Sequence, residues 1–142
     1  MSSALAAALS RSRDARARGA TPTRHEVRDL LLRLGETILE GRADEVQAGL
    51  EEVRGWLRAA PAAWRGAIDG ELSMAVTEHV RSVDPRWLDH PRYDLAYTVE
   101  ARHLLEARVR AAEALGVEVP DALLAAMARA DAVLAPRLAR PR

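Results

Sequence analysis

TPTRHEVRDLLLRLGETILEG, residues 21–41, decides the fold of this chain. Thr23 and Glu26 stand at the spacing of a capping box, in which each side chain accepts a hydrogen bond from the other residue's backbone N–H. Val27, Leu31, Leu34 and Ile38 then recur at helical spacing with Leu30 beside them, and Gly41 supplies a stop. The segment reads as an amphipathic helix that must bury one face against other elements.

The same pattern repeats outward in both directions. Val46, Leu50, Val53, Leu57 and Ala60 form a stripe with Glu45, Glu51 and Glu52 outside it, and Pro61 marks the break. From Pro61 to Val83, the residues Trp64, Ile68, Leu72, Ala75, Val76 and Val83 share a face. A long helix is expected from Pro91 to about Leu115, with Tyr97, Ala101, Leu104, Leu105, Ala112 and Leu115 on its apolar side and Gly116 as its end. A last helix starts near Pro120 and uses Leu123, Met127, Ala130 and Leu134, with Pro136 ending or kinking it. Upstream, Ser2 or Ser3 caps a short helix through Leu5, Ala8 and Leu9. No segment alternates with period two over enough residues to argue a strand. The expectation is an all-α fold, a compact bundle of roughly five to six helices with short loops marked by Pro and Gly. Residues 1–20 form an Arg-rich N-terminal arm, helical or frayed, residues 21–135 the bundle domain, and residues 136–142 a tail.

With 142 residues the chain suits one domain, and its hydrophobic content of 49% suits a packed core. All 21 cationic residues are Arg, and Lys, Asn, Phe and Cys are missing. Those are residues with AT-rich codons, so the arginines reflect a GC-rich, bacterial-type genome rather than an arginine-specific role. The absence of Cys excludes disulfides, thiolate metal sites and cysteine nucleophiles. No apolar run reaches the ~18 residues of a membrane span. The first residues place their small apolar run before their charges, the reverse of a secretory signal, so the expected compartment is the cytoplasm. Net charge is zero but uneven. Residues 1–35 carry seven Arg against three acids, and residues 36–84 carry five Arg against ten acids.

DPRWLDHPRYDLAY, residues 84–97, holds three of the five aromatic side chains and repeats the form x-Pro-Arg-aromatic. It reads as two helix starts in succession. Asp84 caps a short turn with Pro85 in first position, and Asp89 or His90 caps the long helix with Pro91 in first position. Trp87 and Tyr97 are expected to close the end of the core. The alternative makes His79, Trp87, Tyr93 and Tyr97 a ligand site or a core polar site. His79 falls within the stripe of Trp64, Ile68, Leu72 and Val83, where a neutral imidazole with one hydrogen-bond partner tolerates burial.

Glu100 and His103 have the E-x-x-H spacing of a metal-binding helix, but only one such unit is present, so a complete di-metal centre would need a dimer. His25 and Glu26 match half of a zinc-protease motif, with Asp29 where the second His would stand. Their simpler role is at the helix N-terminus, where acids are favourable. Arg108 and Asp131 are expected to pair between the last two helices. No nucleophile elbow, P-loop or dinucleotide motif is present, so no catalytic residues and no cofactor are assigned.

Two function classes remain ahead of an enzyme. The first is a non-enzymatic helical protein-interaction module or small accessory subunit that associates with itself or another protein. Here the basic front meets the acidic middle, through Glu40, Asp44, Glu45, Glu51 and Glu52. The second is a nucleic-acid-binding accessory subunit that contacts phosphates through Arg11, Arg13, Arg16 and Arg18. The balanced charge, the single Gln and the lack of Asn favour the first.

Overall fold

The computed structural model describes residues 3–139. Helix α1 spans Ser3–Ala17, α2 Arg24–Leu39, α3 Gln47–Ala59, α4 Pro61–Ser82, α5 Pro85–Leu88, α6 Leu95–Ala114 and α7 Asp121–Leu138. A 3-10 turn at Ala43–Val46 leads into α3. The described residues contain no strand, so the fold is all-α. The described residues hold seven helices rather than five to six. Single-turn α5 accounts for the difference, since Asp84 accepts from the Arg86 N–H at 2.9 Å and Pro85 presets the first turn. No helix among the described residues is long and apolar enough to cross a membrane.

Both halves of the capping box are present at α2. The Glu26 N–H donates to Thr23 Oγ1 at 3.1 Å, and the Thr23 N–H donates to Glu26 Oε2 at 3.4 Å. Past the other end, Gly41 adopts φ +79°, a conformation that a side chain would disfavour. Val27, Leu30, Leu31 and Leu34 are buried, as the stripe requires.

Helix α2 packs most extensively on α6, and the two backbones touch. A Cβ placed on Gly35 would lie 1.8 Å from the carbonyl oxygen of Ala107. Around this crossing, α1 and α4 lie on α2, α4 also packs on α6 and α7, and α3 packs on α4. Leu5, Ala8 and Leu9 of α1 are buried in the main core, which anchors the Arg-rich segment as a helix on the bundle. A second, smaller cluster joins Val83, Leu88, Ala130 and Leu134, with Tyr93, Leu95 and Val133 packed on it.

Trp87 is 60% exposed and Tyr97 73% exposed, so neither closes the core; Leu88 does so at that end. Helix α6 begins four residues after Pro91, where Asp94 accepts from the Ala96 N–H at 2.9 Å. His90 caps only a local turn, its Nδ1 accepting from the Arg92 N–H at 3.1 Å. The inward residue of the first turn is Thr98, with its hydroxyl 2.6 Å from that of Tyr93. One residue is about 100° of rotation on a helix, which turns the neighbouring Tyr97 outward. Pro136 does not end α7, which continues to Leu138 while Arg137 Nη1 donates to the Val133 carbonyl at 2.7 Å.

Gly35→Ala is expected to destabilise the fold by at least about 3 kcal/mol, because the added methyl meets rigid backbone rather than a movable side chain. Gly66→Ala, in open space on helix α4, serves as the control. Thermal unfolding of the two variants checks the contrast.

Candidate functional site

The two apolar clusters are separated along the helices by polar residues. On α4, His79 stands between Val76 of the main cluster and Val83 of the smaller one. On α7, Asp131 stands between Ala130 and Leu134 of the smaller cluster, one turn past Met127 of the main one, and on α6, Arg102 stands between Leu105 and Leu95. These three meet. Arg102 grips Asp131 in a fork, Nε to Oδ1 at 2.8 Å and Nη2 to Oδ2 at 3.0 Å. Its Nη1 donates to Glu106 at 3.0 Å, and Glu106 also accepts from Arg110 at 2.9 Å. His79 Nε2 lies 3.4 Å from Asp131 Oδ1, while its buried Nδ1 has no hydrogen-bond partner.

Burial pushes the His79 imidazole below its ordinary value, against the opposing pull of Asp131. Burial alone would raise Asp131, but the hydrogen bonds and charge of Arg102, helped by His79, hold it low. A second buried pair lies nearby. Arg108 Nε is 3.5 Å from Glu71 Oε1, beyond hydrogen-bond geometry. Burial raises Glu71 and lowers Arg108, so for both groups desolvation outweighs their attraction.

Two depressions flank this polar seam. A groove of about 450 Å³ between α6 and α7 is lined by Val99, Leu134, Ala135 and Leu138 beneath Arg102, His103, Glu106 and Asp131. A cavity of about 230 Å³ lies among α2, α4 and α6, lined by Arg28, Glu78, His79, Ser82, Tyr97 and Arg108, with Ala75, Ala101 and Leu104 as apolar wall. His79 thus borders the cavity while contacting Asp131 on the groove.

Of the aromatic and His79 candidates, the structure brings His79 and Tyr97 into one cavity. Tyr93 instead packs on the smaller cluster, and Trp87 stands exposed. Glu100 and His103 are both exposed, and no three His, Asp or Glu side chains among the described residues form a group that could hold a metal ion. The expected Arg108–Asp131 pair is replaced by Arg108–Glu71 and Arg102–Asp131. Arg102 and Arg108 are six residues apart, about 240° around the helix, so they face different neighbours.

The arginines of α1 are engaged within the chain. Arg11 donates to Asp29 at 2.6 Å, and Arg13 donates to both oxygens of Glu52 at 2.6 and 2.8 Å. Arg16 forks onto Glu26 at 2.7 and 3.1 Å, with its guanidinium 5.0 Å from the Trp64 ring centroid and 5.9 Å from that of Trp56. Those two rings stack with centroids 5.9 Å apart. Arg18 is exposed. Among the described residues, Glu52 of the acidic middle meets this arm; Glu40 and Glu45 pair with Arg42, and Glu51 pairs with Arg54.

Sequence reasoning missed Arg28, Glu71 and Arg102. Glu71 had a usable signal, since it stands three residues after Ile68 and four before Ala75, inside the apolar stripe of α4. No protein-family model matches the chain, and comparisons with curated proteins and with solved structures also find no match.

Two outcomes are expected from this geometry. The first concerns pH. His79 is held below its ordinary value in the folded state, so the unfolded chain takes up this proton first as pH falls. The contribution of His79 is full above its unfolded pKa of about 6.5 and is lost as pH drops through the lower folded value. Urea midpoints between pH 7 and 5 should therefore fall more steeply for the wild type than for His79→Gln, which keeps a polar group opposite Asp131 but does not titrate. The second concerns the arm. A double-mutant cycle on Arg16 and Glu26, both largely buried, should give a coupling of about 2 kcal/mol, exceeding that of the exposed Arg13–Glu52 pair.

Proposed function

We propose that the protein is a non-enzymatic helical interaction module that associates with a second copy of itself through the groove between α6 and α7. One observation carries this reading: Val99 and Leu138 stand 42% and 50% exposed, with Leu134 and Ala135 between them, on a groove rimmed by charged residues. Apolar side chains grouped in a concave surface favour a partner's apolar face. The rim favours a copy of this chain over a strongly charged partner, because Arg102 lies beside Glu106 and Asp131 and the charges nearly balance. Packing α6 and α7 against their two-fold equivalents would make a four-helix contact of ordinary bundle type.

The rival assignment to nucleic-acid phosphates gains no support from the arm. Phosphates there would have to displace Asp29, Glu52 and Glu26 from Arg11, Arg13 and Arg16. The internal engagement of these side chains also moves the proposed contact away from the arm, so association should survive high salt rather than weaken with it.

Light scattering on nuclease-treated protein at micromolar concentration provides the test. The expected result is a two-chain mass that persists at high salt and falls to one chain in the Val99→Glu/Leu138→Glu double variant, with helix content unchanged. A one-chain mass for the wild type, or a two-chain mass for the folded double variant, overturns the proposal. Tight binding of the monomer to a random oligonucleotide would promote the rival reading.

A further inference from the structure

Arg108 is a largely buried side chain whose Nε lacks the hydrogen bond that burial requires. The residue is 8% exposed, and its Nε has no hydrogen-bond partner. Its nearest anion, Glu71, stands off at 3.5 Å and is itself buried. The same side chain lines the cavity of about 230 Å³ among α2, α4 and α6. Arg28 of α2 lines this cavity too and opposes the charge on Arg108, while Glu71 and Glu78 attract it, so the lining carries two cations and the carboxylate of Glu78.

From this arrangement we infer that the cavity binds a small organic monocarboxylate, with its carboxylate held by Arg108 and Arg28 and its hydrocarbon body against Ala75, Ala101 and Leu104. A guanidinium fork matches a carboxylate in shape and charge, and an anion between two cations relieves their repulsion. Glu78 in the same lining opposes a guest's negative charge, more strongly for a dianion than for a monocarboxylate. The volume sets the size. A cavity of roughly 150 Å³ accommodates benzene, so this one suits a one-ring or short-chain acid. His79 Nδ1, buried and unpartnered on a ring that borders the cavity, is a second polar group near the guest. This site is separate from the groove proposed for self-association, and the two stand or fall independently.

The full chain should be titrated with benzoate, following the imidazole resonances of His79 by NMR and the affinity by calorimetry. Saturable binding that shifts the His79 resonances is expected, with no binding of benzylamine, which has a similar body and the opposite charge, and none of inorganic phosphate. Arg108→Met should weaken benzoate by about tenfold or more. Ala101→Met fills the cavity without removing a charge, and should weaken benzoate comparably even if Arg108→Met does not fold. No shift at His79 on adding benzoate, or benzoate affinity unchanged in folded Ala101→Met, overturns the inference. Phosphate binding as tight as benzoate overturns the monocarboxylate assignment.

Discussion

The contact between Gly35 and Ala107 sets the geometry of this molecule. A glycine with no Cβ lets α2 approach the backbone of α6, and small buried residues on α6, Ala107 and Ala111, line the same approach. With α2 occupying one side of α6, the other sides of α6 remain for α4 and α7. Arg108 then falls beside Glu71 on α4, and Arg102 beside Asp131 on α7. Both charged pairs are consequences of which side α2 already holds.

The polar seam of Arg102, Asp131 and His79 interrupts what would otherwise be one apolar core. Replacing such groups by well-packed apolar residues is often neutral or stabilising, so the seam is poorly explained as a source of stability. Its geometry suits a register device. Met127 and Leu134 on α7 belong to different clusters, and sliding the helix by one turn would pair each with the wrong neighbours while leaving Asp131 without Arg102 and His79. For His79, whose side chain is 2% exposed, an unmade hydrogen bond penalises the slipped state more than the made one stabilises the native state.

Much of this was legible in the sequence where local rules act alone. The capping box at Thr23 and Glu26, the buried stripe of α2, the end of α2 at Gly41 and the burial of His79 follow from spacing and residue type. Helix α6 was misread for a physical reason. Beside Leu105, Val109 and Ala112, its inward surface carries Thr98, Ala107, Arg108 and Ala111, which have little or no hydrophobic signature, while Tyr97 on its outward side does. A periodicity argument ranks side chains by apolar character, but a helix packed against backbone selects them by size. The same blind spot concealed Gly35, whose role depends on a partner 72 positions away in the chain. The ion pairs were harder still, because pairing depends on rotation about each helix to within one residue.

Arginine is the only strong cation here, so it fills roles that a more varied composition would divide. The number of arginines in a segment therefore says little about what that segment binds. Their surroundings discriminate better. Arg16 is forked onto Glu26 beside two stacked indoles, Arg102 is forked onto Asp131, and Arg137 onto Asp89 at 2.9 and 3.0 Å. Each of these guanidiniums meets a carboxylate in the geometry its planar fork prefers. Arg108 is more buried than most of these and lacks that geometry, although Glu71 is within ion-pair distance. Abundance drew attention to the arm at residues 11–18, where Arg16 Nε is also buried without a hydrogen-bond partner; at Arg108 the unmet donor belongs to a side chain that lines a cavity and has no carboxylate fork. The second criterion is the more informative, because leaving a buried donor unpaired carries a cost that an exposed charge avoids.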